Sequence, residues 1–196
     1  MKTWMKGIVL GTVLAFVLAG CAQPTKEMDA AAAAVEAAVN EGAEVYAKED
    51  LLNLQADMTS ANDKISSQGK KLFKGYGEAK DLLAQIKTRA DELTAVIPAK
   101  KEEARNAALA ALDQANAAVE EAKALLADAP SGKGTKADID AMAGDIKAME
   151  EMILEAQAKM DAMDFFGASD TAKLIGEKAA AVSAQIKAAI EKIRKK

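Results

Sequence analysis

From residue 28 to residue 195 apolar and small side chains return at steps alternating between three and four. The series are Met28, Ala32, Val35, Val39, Gly42, Tyr46; then Leu51, Leu54, Met58, Ala61, Ile65, Gln68, Leu72; then Ala79, Leu83, Ile86, Ala90, Leu93, Ile97. They continue as Ala108, Leu112, Ala115, Val119, Ala122, Leu126; then Ile139, Met142, Ile146, Met149, Ile153, Ala156, Met160, Met163; and finally Ala172, Ile175, Ala179, Val182, Ile186, Ala189, Ile193. A mean step of 3.5 residues keeps one helical stripe facing a neighbour that lies nearly parallel or antiparallel to it. About a quarter of the residues after Cys21 are alanine, the strongest helix former, and no stretch sustains the alternation of a strand. The expected fold is therefore all-α: an antiparallel bundle of about six helices.

The interruptions divide the pattern. Pro98 stands either at the first position of a new helix, where its missing N–H costs nothing, or inside one long helix over both flanking runs. Residues 128–134 form the clearest loop, and Thr135 with Asp138 reads as a capping pair opening the next helix. Gly75-Tyr76-Gly77 and Gly167-Ala168-Ser169 are expected turns. A shift of 93 residues carries Phe73 onto Phe166, Ala79 onto Ala172, Lys80 onto Lys173, Leu82 onto Ile175 and Leu93 onto Ile186. The register slips by two in the preceding helix, as if the second turn were two residues longer. Two three-helix halves, 28–97 and 98–196, follow from this, either as tandem bundles meeting near Pro98 or as one antiparallel bundle. The aromatics Tyr46, Phe73, Tyr76, Phe165 and Phe166 fall at the expected helix ends, placed to plug the tips.

The N-terminus follows a different rule. Lys2 and Lys6 precede an uncharged, mostly apolar run from Gly7 to Gly20, too short for a stable membrane span. It ends Leu18-Ala19-Gly20-Cys21, which resembles the lipobox of bacterial lipoproteins. The resemblance implies that residues 1–20 are a signal peptide cleaved between Gly20 and Cys21. It further implies a diacylglycerol thioether on the Cys21 sulfur and an acyl chain on its freed amine, with no other cofactor. Two or three chains at about 0.8 kcal/mol per buried CH2 make such an anchor permanent, where one would be reversible. Residues 21–27 then serve as lipidated anchor and short linker, holding the helices within about 20 Å of the membrane. Ala22 is similar to the outer-membrane sorting pattern. The expected location is thus the periplasmic face of the outer membrane, or the outer leaflet of the cytoplasmic membrane in a single-membrane cell.

Much chemistry is excluded by composition. The chain has no histidine and one cysteine, so imidazole–nucleophile pairs, internal disulfides and thiolate clusters are absent. A net charge of −4 gives no positive field for nucleic acid. Without Lys2 and Lys6 the remainder carries 24 basic and 30 acidic side chains. Gly132-Lys133-Gly134-Thr135 lacks both the upstream glycine and the hydroxyl residue directly after lysine that a phosphate loop needs. Asp138 and Asp140 lack the remaining calcium ligands and read as favourable charges at a helix N-terminus. Glu102-Glu103, Glu120-Glu121 and Glu150-Glu151 lie beside the seams as solvated pairs, so no enzyme is expected. Met149, Met152, Met160 and Met163 supply soft thioethers that suit Cu(I), but at seam spacing methionine is an ordinary gap-filler or lines an adaptable groove.

The C-terminal Ile190-Glu-Lys-Ile-Arg-Lys-Lys196 places cations at a helix end, where the dipole favours them. It is also similar to murein lipoprotein, an acylated alanine-rich heptad protein whose terminal lysine is crosslinked to peptidoglycan; Lys196 matches that position, in a longer and more broken chain. Cys21, the polar stretch 22–27, the alanine-rich helices and Gly42-Ala43-Glu44-Val45-Tyr46-Ala47 together resemble small outer-membrane lipoproteins with helical domains of unknown function. The expected function is a non-catalytic, lipid-anchored periplasmic scaffold or adaptor with an envelope protein partner. The alternatives are a peptidoglycan tether through Lys196 and a carrier of an apolar ligand or Cu(I) within the bundle.

Overall fold

The computed structural model describes residues 22–129 and 136–194. Among them are six α-helices and no strand: α1 (Thr25–Glu41), α2 (Ala43–Tyr46), α3 (Lys48–Gly69), α4 (Gly77–Ala127), α5 (Lys136–Asp161) and α6 (Phe165–Arg194). The chain is the expected all-α bundle, but its helices are divided differently from the breaks read in the sequence.

The run 28–46 is two helices. Gly42, at φ 115°, takes a backbone conformation that L side chains rarely adopt, and its N–H donates to the Ala38 and Val39 carbonyls to close α1. A Cβ at Gly42 would stand 3.2 Å from Cδ2 of the Tyr46 ring. The segment 42–47 is therefore a corner between α1 and α3. Ala43 and Ala47 are buried beneath it and Tyr46 is half-buried against it. In contrast, Pro98 interrupts nothing: α4 runs through it as one helix. Pro98 lies on an exposed face, where water can take the place of the amide that the Thr94 carbonyl loses.

Packing divides the chain into two units, Met1–Lys100 and Lys101–Lys196, with the boundary inside α4. In the first, α1 contributes Ala31, Ala34 and Ala38, while the large buried residues come from α3 (Leu51, Leu54, Ile65) and α4 (Leu83, Ile86, Leu93, Ile97). A helix face made only of alanine lets its backbone approach towards the lower end of the usual 8–10 Å spacing. Ala32, placed on this seam by periodicity, is exposed. The stripe is one position off because the half-buried Met28, Val35 and Val39 flank the alanines instead of standing at its centre.

The second unit is built from the later part of α4, α5 and α6 around Leu112, Val119, Ile146, Met149, Ile153, Ile175 and Ile186. Here α5 ends in a left-handed turn at Met163 (φ 60°), with Asp164 N–H donating to the Lys159 carbonyl at 2.9 Å. Asp164 then caps α6, its Oδ1 accepting from Gly167 N–H at 3.0 Å. Two expectations are corrected by this. Gly167-Ala168-Ser169 is the first turn of α6, not a loop, and Met163 is carried off the seam to 59% exposure.

The repeat of 93 is visible in burial, with Ala79, Ile86 and Leu93 on α4 and Ala172, Ala179 and Ile186 on α6 all interior. The second turn, however, is the shorter: residues 70–76 join α3 to α4, whereas 162–164 join α5 to α6. Of the aromatics expected to plug the tips, Tyr76 and Phe165 are buried and Tyr46 half-buried. Phe73 and Phe166 are exposed.

Candidate functional site

The chain direction places three helix termini at one end of the first unit. Pro24 is buried just before α1, and Glu27 in the first turn of α1 pairs with Lys80 of α4 at 3.3 Å. Near the end of α3, Lys64 reaches Glu78 in the first turn of α4 at 3.1 Å. Tyr76 is buried at the start of α4, its hydroxyl 3.8 Å from the Cβ position of Gly69. The entry of the chain at Pro24 and the 70–76 connection therefore share this end. The opposite end holds Gly42 close to Ile97, and Lys100 paired with Asp50 at 3.2 Å.

Between these ends the α3–α4 seam carries an ion-pair ladder: Asp50 with Lys100, Asp57 with Arg89, Lys64 with Glu78. Every member keeps at least a third of its side-chain surface in water, so the ladder sets alignment more than stability. An open cleft of about 540 Å³ lies beside it, lined by polar groups that include Thr59, Ser60, Asp63, Lys64, Ser67 and Glu78.

Glu27 is held below the ordinary carboxylate range. Its own backbone N–H, free in the first helical turn, is the main cause; burial opposes it, and the Lys80 ammonium adds a further lowering. A depressed carboxylate stabilises the fold above its unfolded pKa and loses that contribution as pH falls through the folded value. Lys80→Met is therefore expected to raise the Glu27 titration midpoint only part of the way to an ordinary glutamate, as followed by NMR of the carboxyl carbon. Full restoration would show that the lysine, not the amide, dominates.

In the second unit Lys123 bridges Glu150 of α5 (2.8 Å) and Glu120 of its own helix (2.9 Å), and its pKa is raised chiefly by the hydrogen bond to Glu150. Glu121 reaches Lys187 of α6 at 3.2 Å, and Glu102 pairs with Arg105. Of the carboxylates noted in the sequence, Glu121 and Glu150 thus join helices, and Glu102 and Glu120 pair with the next turn of their own helix. Lys159 ties α5 to α6 by donating to Thr171 Oγ1 at 2.8 Å, and that hydroxyl donates on to the Gly167 carbonyl.

Gly20, Cys21 and Lys196, the expected cleavage, lipidation and crosslinking residues, lie outside the described residues, as does Thr135 of the expected capping pair. Of the methionines, Met149 is interior, Met152 and Met160 are half-buried and Met163 is exposed. Met149 and Met152 share a cavity of about 220 Å³ with Asp145, Lys178, Val182 and Gln185 between α5 and α6. Met149 and Met160 are about 16 Å apart along α5, beyond the reach of one ion. Among the described residues no three His, Cys, Asp or Glu side chains gather as a metal site, and no helix is long and apolar enough to cross a membrane.

Periodicity also missed the 70–76 connection. The period places Leu72 on a seam, yet α3 stops at Gly69, leaving Leu72 91% and Phe73 88% exposed. The signal was present as Lys70-Lys71-Leu72-Phe73-Lys74 ahead of a glycine turn, an apolar pair inside a basic cluster.

These residues define an all-α protein of two compact units, the first carrying an end that is both charged and apolar. No protein-family model, curated protein or solved structure matches the chain.

Proposed function

We propose that the protein is a non-catalytic, lipid-anchored scaffold or adaptor of the bacterial envelope, acylated on Cys21 and facing the periplasm. The observation that carries this reading is the Leu18-Ala19-Gly20-Cys21 lipobox behind a basic and then apolar leader. The position of Pro24 agrees with it. Pro24 is buried in the first unit, so only Ala22 and Gln23 separate Cys21 from folded protein, a span of about 10 Å from Cys21 to Pro24. An anchor this short keeps one end of a helical unit at the lipid surface and leaves its flanks free for a partner.

Cells fed labelled palmitate are expected to mark the wild-type chain, while a Cys21→Ser chain stays unmarked, uncleaved and distributed differently between membrane fractions. Unchanged processing of the serine variant would sink the reading. The same preparation, digested with a muramidase, separates adaptor from tether. Only a tether yields a Lys196-linked muropeptide.

A further inference from the structure

We infer that the 70–76 connection is a second membrane contact, an interfacial wedge that inserts Leu72 and Phe73 into an anionic lipid surface. Two large apolar side chains at about nine-tenths exposure on adjacent residues are costly in water, and nothing in the first unit packs against them. Their base is fixed: Gly69 ends α3, Lys71 N–H donates to the Gln68 carbonyl at 3.1 Å, and buried Tyr76 holds the other side. A tip with an anchored base keeps its apolar pair directed outward.

The charge around the tip selects the partner. Lys70, Lys71 and Lys74 stand beside the pair with no carboxylate within 70–76; of the acids at this end Glu27 and Glu78 pair with Lys80 and Lys64, and Asp63 lines the cleft beside Gly75, so the connection itself is the basic part. Exposed apolar residues flanked by lysine match an interface where acyl chains begin beneath negative headgroups. The corresponding turn of the second unit makes the contrast. It exposes Met163 and Phe166 but carries Asp161 and Asp164, the wrong sign for such a surface.

Position supplies the remaining argument, and this part rests on acylation at Cys21. The tip leaves the first unit at the end where Pro24 enters it, so the bilayer holding the acyl chains is the surface the tip meets. Two contacts at one end would set the orientation of the unit on the membrane, where acyl chains alone leave it free to tumble.

The test uses the full acylated chain in vesicles of phosphatidylethanolamine and phosphatidylglycerol, with Phe73→Trp as reporter in a Trp4→Phe background. Emission from residue 73 is expected to shift to the blue and to be quenched by lipids brominated on their acyl chains. Lys70→Gln, Lys71→Gln and Lys74→Gln together should lower the equilibrium constant for insertion about a hundredfold, at about fivefold per lysine. Water-like, unquenched emission from a chain that floats with the vesicles overturns the wedge. Failure to float on zwitterionic vesicles overturns the acyl anchor instead, and a chain beginning at Ala22, without leader or cysteine, in excess anionic vesicles then still reads the tip through the same quenching. Blue-shifted emission without lipid, with dimer on sedimentation, would assign the tip to a second copy and also overturn the inference.

Discussion

Ile86→Ala is expected to destabilise the first unit by about 3–5 kcal/mol, the upper part of the range for large-to-small changes in cores. Ile86 is fully buried on α4, and half of the residues forming the core around it are alanines. The cost of such a change depends on how far the neighbours collapse into the hole, and alanine has no rotamer with which to fill it. The cavity therefore persists. Denaturation followed by circular dichroism gives the loss, and hydrogen exchange gives its place, with faster exchange in α1 and α3. Ile175→Ala is the companion in the second unit, where Ile175 is also fully buried, and it should speed exchange in α5 and α6 instead. A loss under about 1 kcal/mol for Ile86→Ala would show that this interior is not close-packed.

Ala38→Leu should destabilise by about 1–3 kcal/mol although it adds a hydrophobic side chain. Ala38 is fully buried on the all-alanine face of α1, where a leucine must push the helix away from α3 and α4. Ala37→Leu, one residue away on an exposed face, should stay within about 0.5 kcal/mol of the parent. The pair separates two ideas of what alanine does here. If its role were helix propensity alone, the two substitutions would behave alike; if it sets the distance between helices, only Ala38→Leu is harmful. Thermal melts of both chains measure the difference.

These two experiments mark where the sequence could be read and where it could not. Every seam residue assigned between Ala79 and Ile97 is buried, as are Ala108, Leu112, Ala115, Val119 and Ala122. Within an uninterrupted helix the period alone decides which side faces inward. The misreadings gather where helices end. Leu72 and Met163 continue the period in sequence, but α3 has already stopped at Gly69 and α5 turns left-handed at Met163. Ala32 was misplaced for another reason. In a run of five consecutive alanines, 30–34, composition does not distinguish one face from another, and only the helices packed against α1 choose Ala31 and Ala34.

The candidate sites divide in the same way. The Cys21 motif, on which the proposed acylation rests, is contiguous in the sequence and needs no fold to be read. The wedge at 70–76 depends on the fold. Its apolar pair and its lysines are contiguous in sequence, but their exposure follows from where α3 ends, and their proximity to Pro24 follows from the antiparallel path of α1, α3 and α4.

By itself, then, the sequence showed the helical class and most of the inward-facing seam residues, and it holds the contiguous Leu18-Ala19-Gly20-Cys21 on which the proposed acylation rests, because periodicity and short linear motifs are properties of neighbouring residues. The tertiary structure alone decided that Pro98 lies inside one helix, that Gly42 turns a corner, and that Leu72 and Phe73 stand in water beside the chain's entry at Pro24. Each of those outcomes depends on which surfaces remain available once distant segments have packed, and no window along the chain contains that information.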